Sequence, residues 1–426
     1  MDFVRGFIGI ATMIGIAFLF SQDRKKIDWR LVGIAVMIQV TFGFLVLNVP
    51  AVKMVFNAIS AVFIRIIDFS NEGSSFIFGN LSNSDKFGFI FAVRILPTII
   101  FFSALTSGLY YLGVLQKIVY GIAWVMKRTL RISGAESLSV AGNVFLGQTE
   151  APLLIKHFIR DMNRSQVFTI MVGGMAHLAG GVLASYIEFL GGTDEVRKQM
   201  FATHLLAASM MNAPGAILMA KMLVPNTEPS LIDDKIILPK EKLGVNFIDA
   251  LAIGVGEGIK LAAIIGGMLM AFISMIYLVN YLLGDQFGAL LGLNDWVKDT
   301  TNGTFDKFSL QYILGQLFRP LAFMMGVEWK DTLVVGSLLG EKTVINEFLA
   351  YKSLSEIKET LSDKSLVIAT YALGSFSNFS SIAIQVGGLG SLAPEKRSTI
   401  SQLGLKAVLG GTLACCMSAS IAGMMS

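Results

Sequence analysis

What most limits this chain is a recurrence of apolar runs as long as a bilayer is thick. A spanning helix needs roughly 20 mostly apolar residues. Eight stretches qualify: 3–20, 31–49, 89–115, 167–190, 201–223, 261–283, 366–386 and 403–424. Only 15% of the residues are charged while 54% are hydrophobic. Soluble domains carry roughly a quarter of their residues as charges, so lipid is the solvent for most of this surface. The 43 glycines agree, because membrane helices use glycine to approach closely or to break. A net charge of +4, dispersed along the chain, leaves no footprint for nucleic acid. The first run leads into Ser21-Gln22-Asp23-Arg24-Lys25-Lys26 rather than a small-residue cleavage site, and reads as a retained span. Cys415 and Cys416 are adjacent in an apolar run, where neighbouring side chains diverge, so packing is expected rather than a disulfide.

Two further apolar stretches, 137–159 and 310–349, are interrupted by Asn143…Gln148-Thr149-Glu150 and by Glu341-Lys342…Asn346-Glu347. Irregular backbone at membrane depth survives only where protein or a water-filled cavity satisfies it. Each stretch is therefore expected to be a re-entrant helical hairpin. Eight spans plus two hairpins place Arg24–Arg30, Lys127–Arg131, Lys156–Arg164, Lys235, Lys240, Lys242, Lys396 and Arg397 on one side. Asp68, Glu72, Asp85, Asp194, Glu195, Asp285, Asp295 and Asp299 fall on the other. Basic residues mark the cytoplasmic side, so both termini are expected outside. Residues 51–70, with Val52, Val55, Ile59, Val62, Phe63 and Ile66 on one helical face, are expected to lie along the interface.

The order hairpin, Gly-rich span, span occurs twice, with hairpins entering from opposite sides. Inverted repeats of this kind place a transporter's substrate site at the midplane. The expected fold is all-α and polytopic, an elevator-type inverted repeat. Residues 1–131 form N-terminal scaffold spans and an interfacial helix, and 132–225 the first repeat. Residues 226–305 form a further scaffold span, and 306–426 the second repeat.

Ionisable residues in spans are costly and usually functional. Gly147 can break the first hairpin and Pro152 suits the first turn that follows, leaving Gln148, Thr149 and Glu150 at the tip. An amide and a carboxylate together can read a nucleobase edge or a set of hydroxyls; a solvated turn is the plainer reading. Glu347 on the second hairpin can accept two vicinal hydroxyls, or merely cap a helix. Ser375-Phe376-Ser377-Asn378-Phe379-Ser380-Ser381 puts polar residues at the centre of a run, which favours an unwound segment over serines that merely hold helices together. His177, also mid-run, either bonds a backbone carbonyl as a neutral ring or carries a proton.

Three blocks, Gly147–Pro152 (GQTEAP), 346–351 (NEFLAY) and 377–394 (SNFSSIAIQVGGLGSLAP), together resemble the concentrative nucleoside transporters in their bacterial eight-span form. Residues 91–105 are similar to that family's third span. The resemblance implies a homotrimer whose protomers work alone, in the bacterial inner membrane. It implies that Gln148, Thr149 and Glu150 face the nucleobase beside Val182. Glu347, Asn378 and Ser381 would then bond the ribose, with Phe376 lining the pocket. No cofactor is implied beyond a coupling cation. In sodium-coupled members an Asn, a Ser hydroxyl and two main-chain carbonyls hold the ion. Asn143, Leu146 and Leu178 match, but His177 replaces the hydroxyl. Imidazole serves hard ions poorly, so sodium in a rearranged site and a proton on His177 or Glu150 both stay open, with sodium ahead.

Two rivals remain. An intramembrane enzyme with Glu150 and Glu347 as acid and base lacks a nucleophile constellation or metal cluster. An anion transporter calls for arginines or half-helix N-termini at the site, whereas this one is rich in acceptors.

Overall fold

The computed structural model describes residues 2–192, 194–228, 235–238 and 243–426. Lys240 and Lys242 of the expected basic face lie outside them. Every described element is helical. Helices α1 (Asp2–Leu19), α2 (Trp29–Asn48) and α3 (Pro50–Phe78) lead through short α4 (Ser84–Phe87) to α5 (Phe91–Tyr111) and α6 (Val114–Leu130). Next come α7 (Gly134–Asn143), a 3-10 segment at Ala151–Ile155, α8 (Lys156–Ile159), α9 (Arg164–Ala176), α10 (Gly180–Gly191) and α11 (Glu195–Leu223). Helix α12 (Phe247–Asn280) continues as a π-helix, Tyr281–Gly288, to α13 (Leu293–Thr300). The chain closes with α14 (Leu310–Met324), α15 (Thr332–Val344), α16 (Glu347–Ile357), α17 (Asp363–Leu373), α18 (Phe379–Leu392) and α19 (Arg397–Met425).

Polar residues between apolar runs fix where helices start. Asp28, Asp194, Asn246, Ser309 and Ser362 each accept backbone N–H groups as N-caps. Ser133 with Glu136, and Asn163 with Gln166, form capping boxes. Among the described residues seven helices are long and apolar enough to cross a membrane, while Phe3–Leu19 and Phe379–Leu392 are apolar but shorter. This is a multi-pass membrane protein.

Three expectations need correcting. The run 89–115 ends at Tyr111, turns through Gly113 in the left-handed region (φ 73°), and restarts as α6. That helix buries Leu115, Val119, Ala123, Met126 and Leu130 along one face. The run 167–190 is broken at 177–179 into α9 and α10, just as 366–386 is broken at 374–378. The stretch 310–349 is not one hairpin. Gly326 (φ 99°) helps end α14, and the helix–break–helix pair is α15 with α16. Glycines bring α14 and α15 together, since a Cβ on Gly336 would lie 2.6 Å from the Gly315 carbonyl.

The helix at 51–70 continues to Phe78, with a length and hydropathy that an interfacial or a spanning helix can have. Its inward face is Ser60, Ile64, Ile67, Ser70 and Ser74, while Val55, Ile59 and Val62 are exposed. Lipid inverts the usual rule: apolar side chains face out and hydroxyls pair inside. Ser60 bonds Thr203 at 3.1 Å and Ser70 bonds Thr98 at 3.2 Å.

Contacts gather the loops at two ends. At the basic end Gln22 N donates to Leu223 O (3.0 Å), Lys396 reaches Met162 O (2.7 Å) and Arg160 approaches Glu395 (3.8 Å). At the other, Arg197 pairs with Glu359, and Ser362 N donates to Asp331 (3.1 Å). The α7–α8 pair has its feet at the basic end and the α15–α16 pair at the opposite one. The order α6 to α11 is repeated by α14 to α19, and both repeats close with 29-residue helices. Cys415 and Cys416 are buried free thiols inside the last of these.

Candidate substrate and cation sites

Four chain breaks meet near the centre of the molecule. In the first hairpin Gly147 N donates to the Glu150 carboxylate (3.0 Å), curling the tip. Gly180 N, at the start of α10, donates to Phe145 O (3.1 Å), and Ser209 of α11 donates to Val144 O (3.1 Å). In the second hairpin Asn346 caps α16 by accepting from Leu349 N (3.0 Å), which leaves Glu347 as the first helical residue, 3% exposed. Its carboxylate accepts from Asn378 Nδ2 (2.7 Å) and from the Tyr186 hydroxyl (3.3 Å). Asn378 in turn caps α18 through Ser381 N (2.8 Å).

The two repeats are joined directly. Gln148 Nε2 of the first tip donates to Ser381 Oγ (3.2 Å), and Phe376 N donates to His177 O (3.3 Å). All eight residues expected at a substrate site, Gln148, Thr149, Glu150, Val182, Glu347, Phe376, Asn378 and Ser381, line one cavity of about 120 Å³. Its far wall is apolar, with Leu261, Ile265, Met268 and Leu269 of α12. A second cavity of about 330 Å³ shares Glu150, Ala179, Val182 and Leu261 and runs on to Lys156, toward the basic end. One wall therefore offers acceptors and amides, and the other a greasy surface. That suits a neutral solute with hydroxyls and a flat ring.

The residues expected at a cation site also lie close together. Asn143 is buried; its Nδ2 donates to Ser139 O (3.0 Å), and its Oδ1 has no hydrogen-bond partner. His177 closes α9 with Nδ1 2.7 Å from Gly173 O, and its Nε2 has no hydrogen-bond partner either. A Cβ on Gly173 would lie 3.4 Å from Asn143 Nδ2, so both residues abut that glycine. Leu146 and Leu178 are buried beside them. Among the described residues no group of three or more His, Cys, Asp or Glu side chains is placed to hold a metal ion.

Comparison with known proteins decides the family. Residues 8–81 and 204–423 match the N-terminal and C-terminal descriptions of the Na+ dependent nucleoside transporters, and 92–193 match "Gate: Nucleoside recognition". The chain is 39% identical to the nucleoside permease NupC of Helicobacter pylori, covering 98% of this chain and 96% of that one. It is 36% identical to the sodium/nucleoside cotransporter 1 of Rattus norvegicus, across 98% of this chain and 63% of the relative. The solved structure of CNTnw in an inward-facing substrate-bound state superposes with a TM-score of 0.89 at 40% identity, over 100% of this chain and 98% of that one. This chain belongs to the concentrative nucleoside transporter family.

The enzyme reading falls with that result, because these relatives are transporters and permeases. Three groups in this nucleoside transporter were not singled out from sequence. Tyr186 sits in an apolar run, yet its hydroxyl reaches Glu347 and its ring stacks on Tyr351 at 4.1 Å between centroids. Asn212 Nδ2 donates to Ala176 O (2.8 Å) and Gly374 O (3.2 Å), tying both helix breaks to α11. Gln385 Nε2 donates to Met171 O (2.9 Å). A rule of singling out amides within apolar runs finds Asn212 and Gln385. Nothing in the sequence marks Tyr186.

Proposed function

We propose that this transporter imports nucleosides, uridine among them, across the bacterial inner membrane, coupled to sodium. The observation that carries this is the convergence of Gln148, Glu150, Glu347 and Asn378, from both repeats, on one cavity. Gln148, Thr149 and Glu150 would read the base edge. Gln148 Oε1 lacks a hydrogen-bond partner and offers an acceptor there. Glu347, held by Asn378 and Tyr186, would accept the two ribose hydroxyls, with Ser381 beside it and Phe376 and Val182 packing on the rings. The two repeats would form a transport unit moving past α12 and its neighbours. The protein would work as a homotrimer with both termini outside.

Sodium is favoured by the family description and by the unpartnered Asn143 Oδ1, an oxygen suited to a hard ion, with the Leu146 and Leu178 carbonyls completing the set. A specific observation keeps a second reading. His177 Nε2 is buried and unpartnered, so it can accept a proton and carry the coupling charge itself. Radiolabelled uridine uptake into proteoliposomes, driven by a sodium gradient or a proton gradient imposed separately, tests both. Uptake under neither gradient sinks the symport reading. Sodium-driven uptake unchanged between about pH 5.5 and 8, a window spanning an ordinary histidine near 6.5, removes the proton version.

A further inference from the structure

Helix α15 carries a charge that the nucleoside site leaves unused. Lys342 is fully buried, and its ammonium donates to the Ala372 carbonyl at 2.8 Å, in the last turn of α17 just before the break at 374–378. Among the described residues no carboxylate lies within ion-pair distance of it. Glu347 lies five residues further on, at the start of α16. An ammonium in so apolar a place is costly unless negative charge surrounds it. The carbonyl end of α17, with its partial negative charge, supplies some of that.

The internal repeat shows what this cation corresponds to. Helix α7 matches α15 and α9 matches α17, each pair set where a half-helix ends in a break. In the first repeat that junction holds Asn143 with an unpartnered amide oxygen, beside the carbonyl end of α9. In the second it holds the Lys342 ammonium against the carbonyl end of α17. We infer that Lys342 is a tethered cation, doing in the second repeat what the coupling ion does in the first. It binds its hairpin to the neighbouring helix break and balances the carboxylate that takes the ribose. This rests on the coupling-ion reading at Asn143 only for the parallel; the Lys342 contacts stand without it. The consequence is an asymmetric site in which one half must recruit an ion and the other never does, so one cation accompanies each nucleoside.

The test uses the purified full-length transporter and uridine binding by calorimetry, in choline chloride with sodium or ammonium added. Lys342→Ser opens a cavity the size of a small cation. It should lose at least about 10-fold in uridine affinity, and added ammonium should restore binding while wild type ignores ammonium. Its dependence on total small cation should be steeper than wild type by one ion. Lys342→Met keeps the stem but fills the space with a methyl group, so it should lose affinity without rescue. Wild-type binding by Lys342→Met overturns the inference, because the stem alone then suffices. A folded Lys342→Ser that no cation rescues also overturns it. If Lys342→Ser melts early, its thermal stability serves as the readout, and failure of ammonium to raise that stability counts equally against the idea. Failure of the nucleoside reading shows separately, as wild-type protein that does not bind uridine.

Discussion

Helices α11 and α19 bury 89% of their most apolar stretch inside the molecule, whereas α3 and α12 bury 17% of theirs. Hydrophobicity does not account for this, since α12 is the most apolar of the long helices. In lipid the ordering of a soluble protein is reversed. The most apolar helix, α12, faces outward, and the inner ones carry the small and polar residues that let backbones meet. Accordingly α19 buries Gly410, Gly411, Thr412, Ser418 and Ser420, and α11 buries Asn212, Ser209 and Lys221. The inner helices bind both broken helices, and α12 supplies a smooth wall to the cavity. Chemistry and sensitivity to change should therefore concentrate on the inner side.

The largest effects are expected at the two carboxylates that the inner helices position. Glu150→Gln and Glu347→Gln should each weaken uridine binding about 10- to 100-fold, matching the roughly 1.5–3 kcal/mol of a hydrogen bond to a buried charged acceptor. Calorimetry on the purified variants reads this directly. Wild-type affinity in both would place the substrate elsewhere. A 2′,3′-dideoxynucleoside should bind wild type weakly, and should discriminate less between wild type and Glu347→Gln than uridine does.

Next is Asn212, which touches no cavity but holds both breaks. Asn212→Ala removes the amide donor shared by the Ala176 and Gly374 carbonyls and leaves them only the weaker Cys415 thiol in common. A loss of about 1–3 kcal/mol in stability is expected, with uridine affinity falling less than in the carboxylate variants. Thermal melting with and without uridine separates the two effects. A variant that melts as wild type but binds poorly would make Asn212 a substrate contact instead.

Much of this inner–outer division was legible in the sequence. Polar clusters inside apolar runs found the helix breaks after Asn143 and Val344 and at 374–378, because such residues have few other uses at membrane depth. The charge partition grouped loops that the contacts also gather, such as 156–164 with 395–397. The break at 177–179 was missed because its flanks are glycine and alanine, which continue a helix as readily as they end one. Helix α14 was merged into the hairpin after it because both are apolar and joined by a short turn at Gly326. The amphipathic pattern of α3 says where apolar residues cluster, and not whether lipid or protein covers them. Lys342 was seen only as part of a polar cluster; that its stem leads to the Ala372 carbonyl is a tertiary fact.

The smallest effects are expected along α12, where one helix contains both environments. A Cβ on Gly254 or Gly258 would come within 2.7 Å of the α5 backbone at Ala104 or Ile100, whereas Gly256 and Gly267 have nothing within 4 Å. Gly258→Val must push α5 and α12 apart, which should cost about 1–3 kcal/mol. Gly267→Ala instead removes a flexible residue from an outward helix face. It should raise thermal stability by at most about 1 kcal/mol and leave uridine affinity within about twofold. The same open face is where a trimer contact through 261–283 is expected. Gly267→Trp should then disperse the oligomer in native mass spectrometry while each protomer still binds uridine. An unchanged oligomer would move the contact to another outward surface, such as the exposed Val55–Ile59–Val62 side of α3. Lost binding in the dispersed protomer would mean that α12 does more than wall the cavity, and the contrast between the two classes of helix would fail.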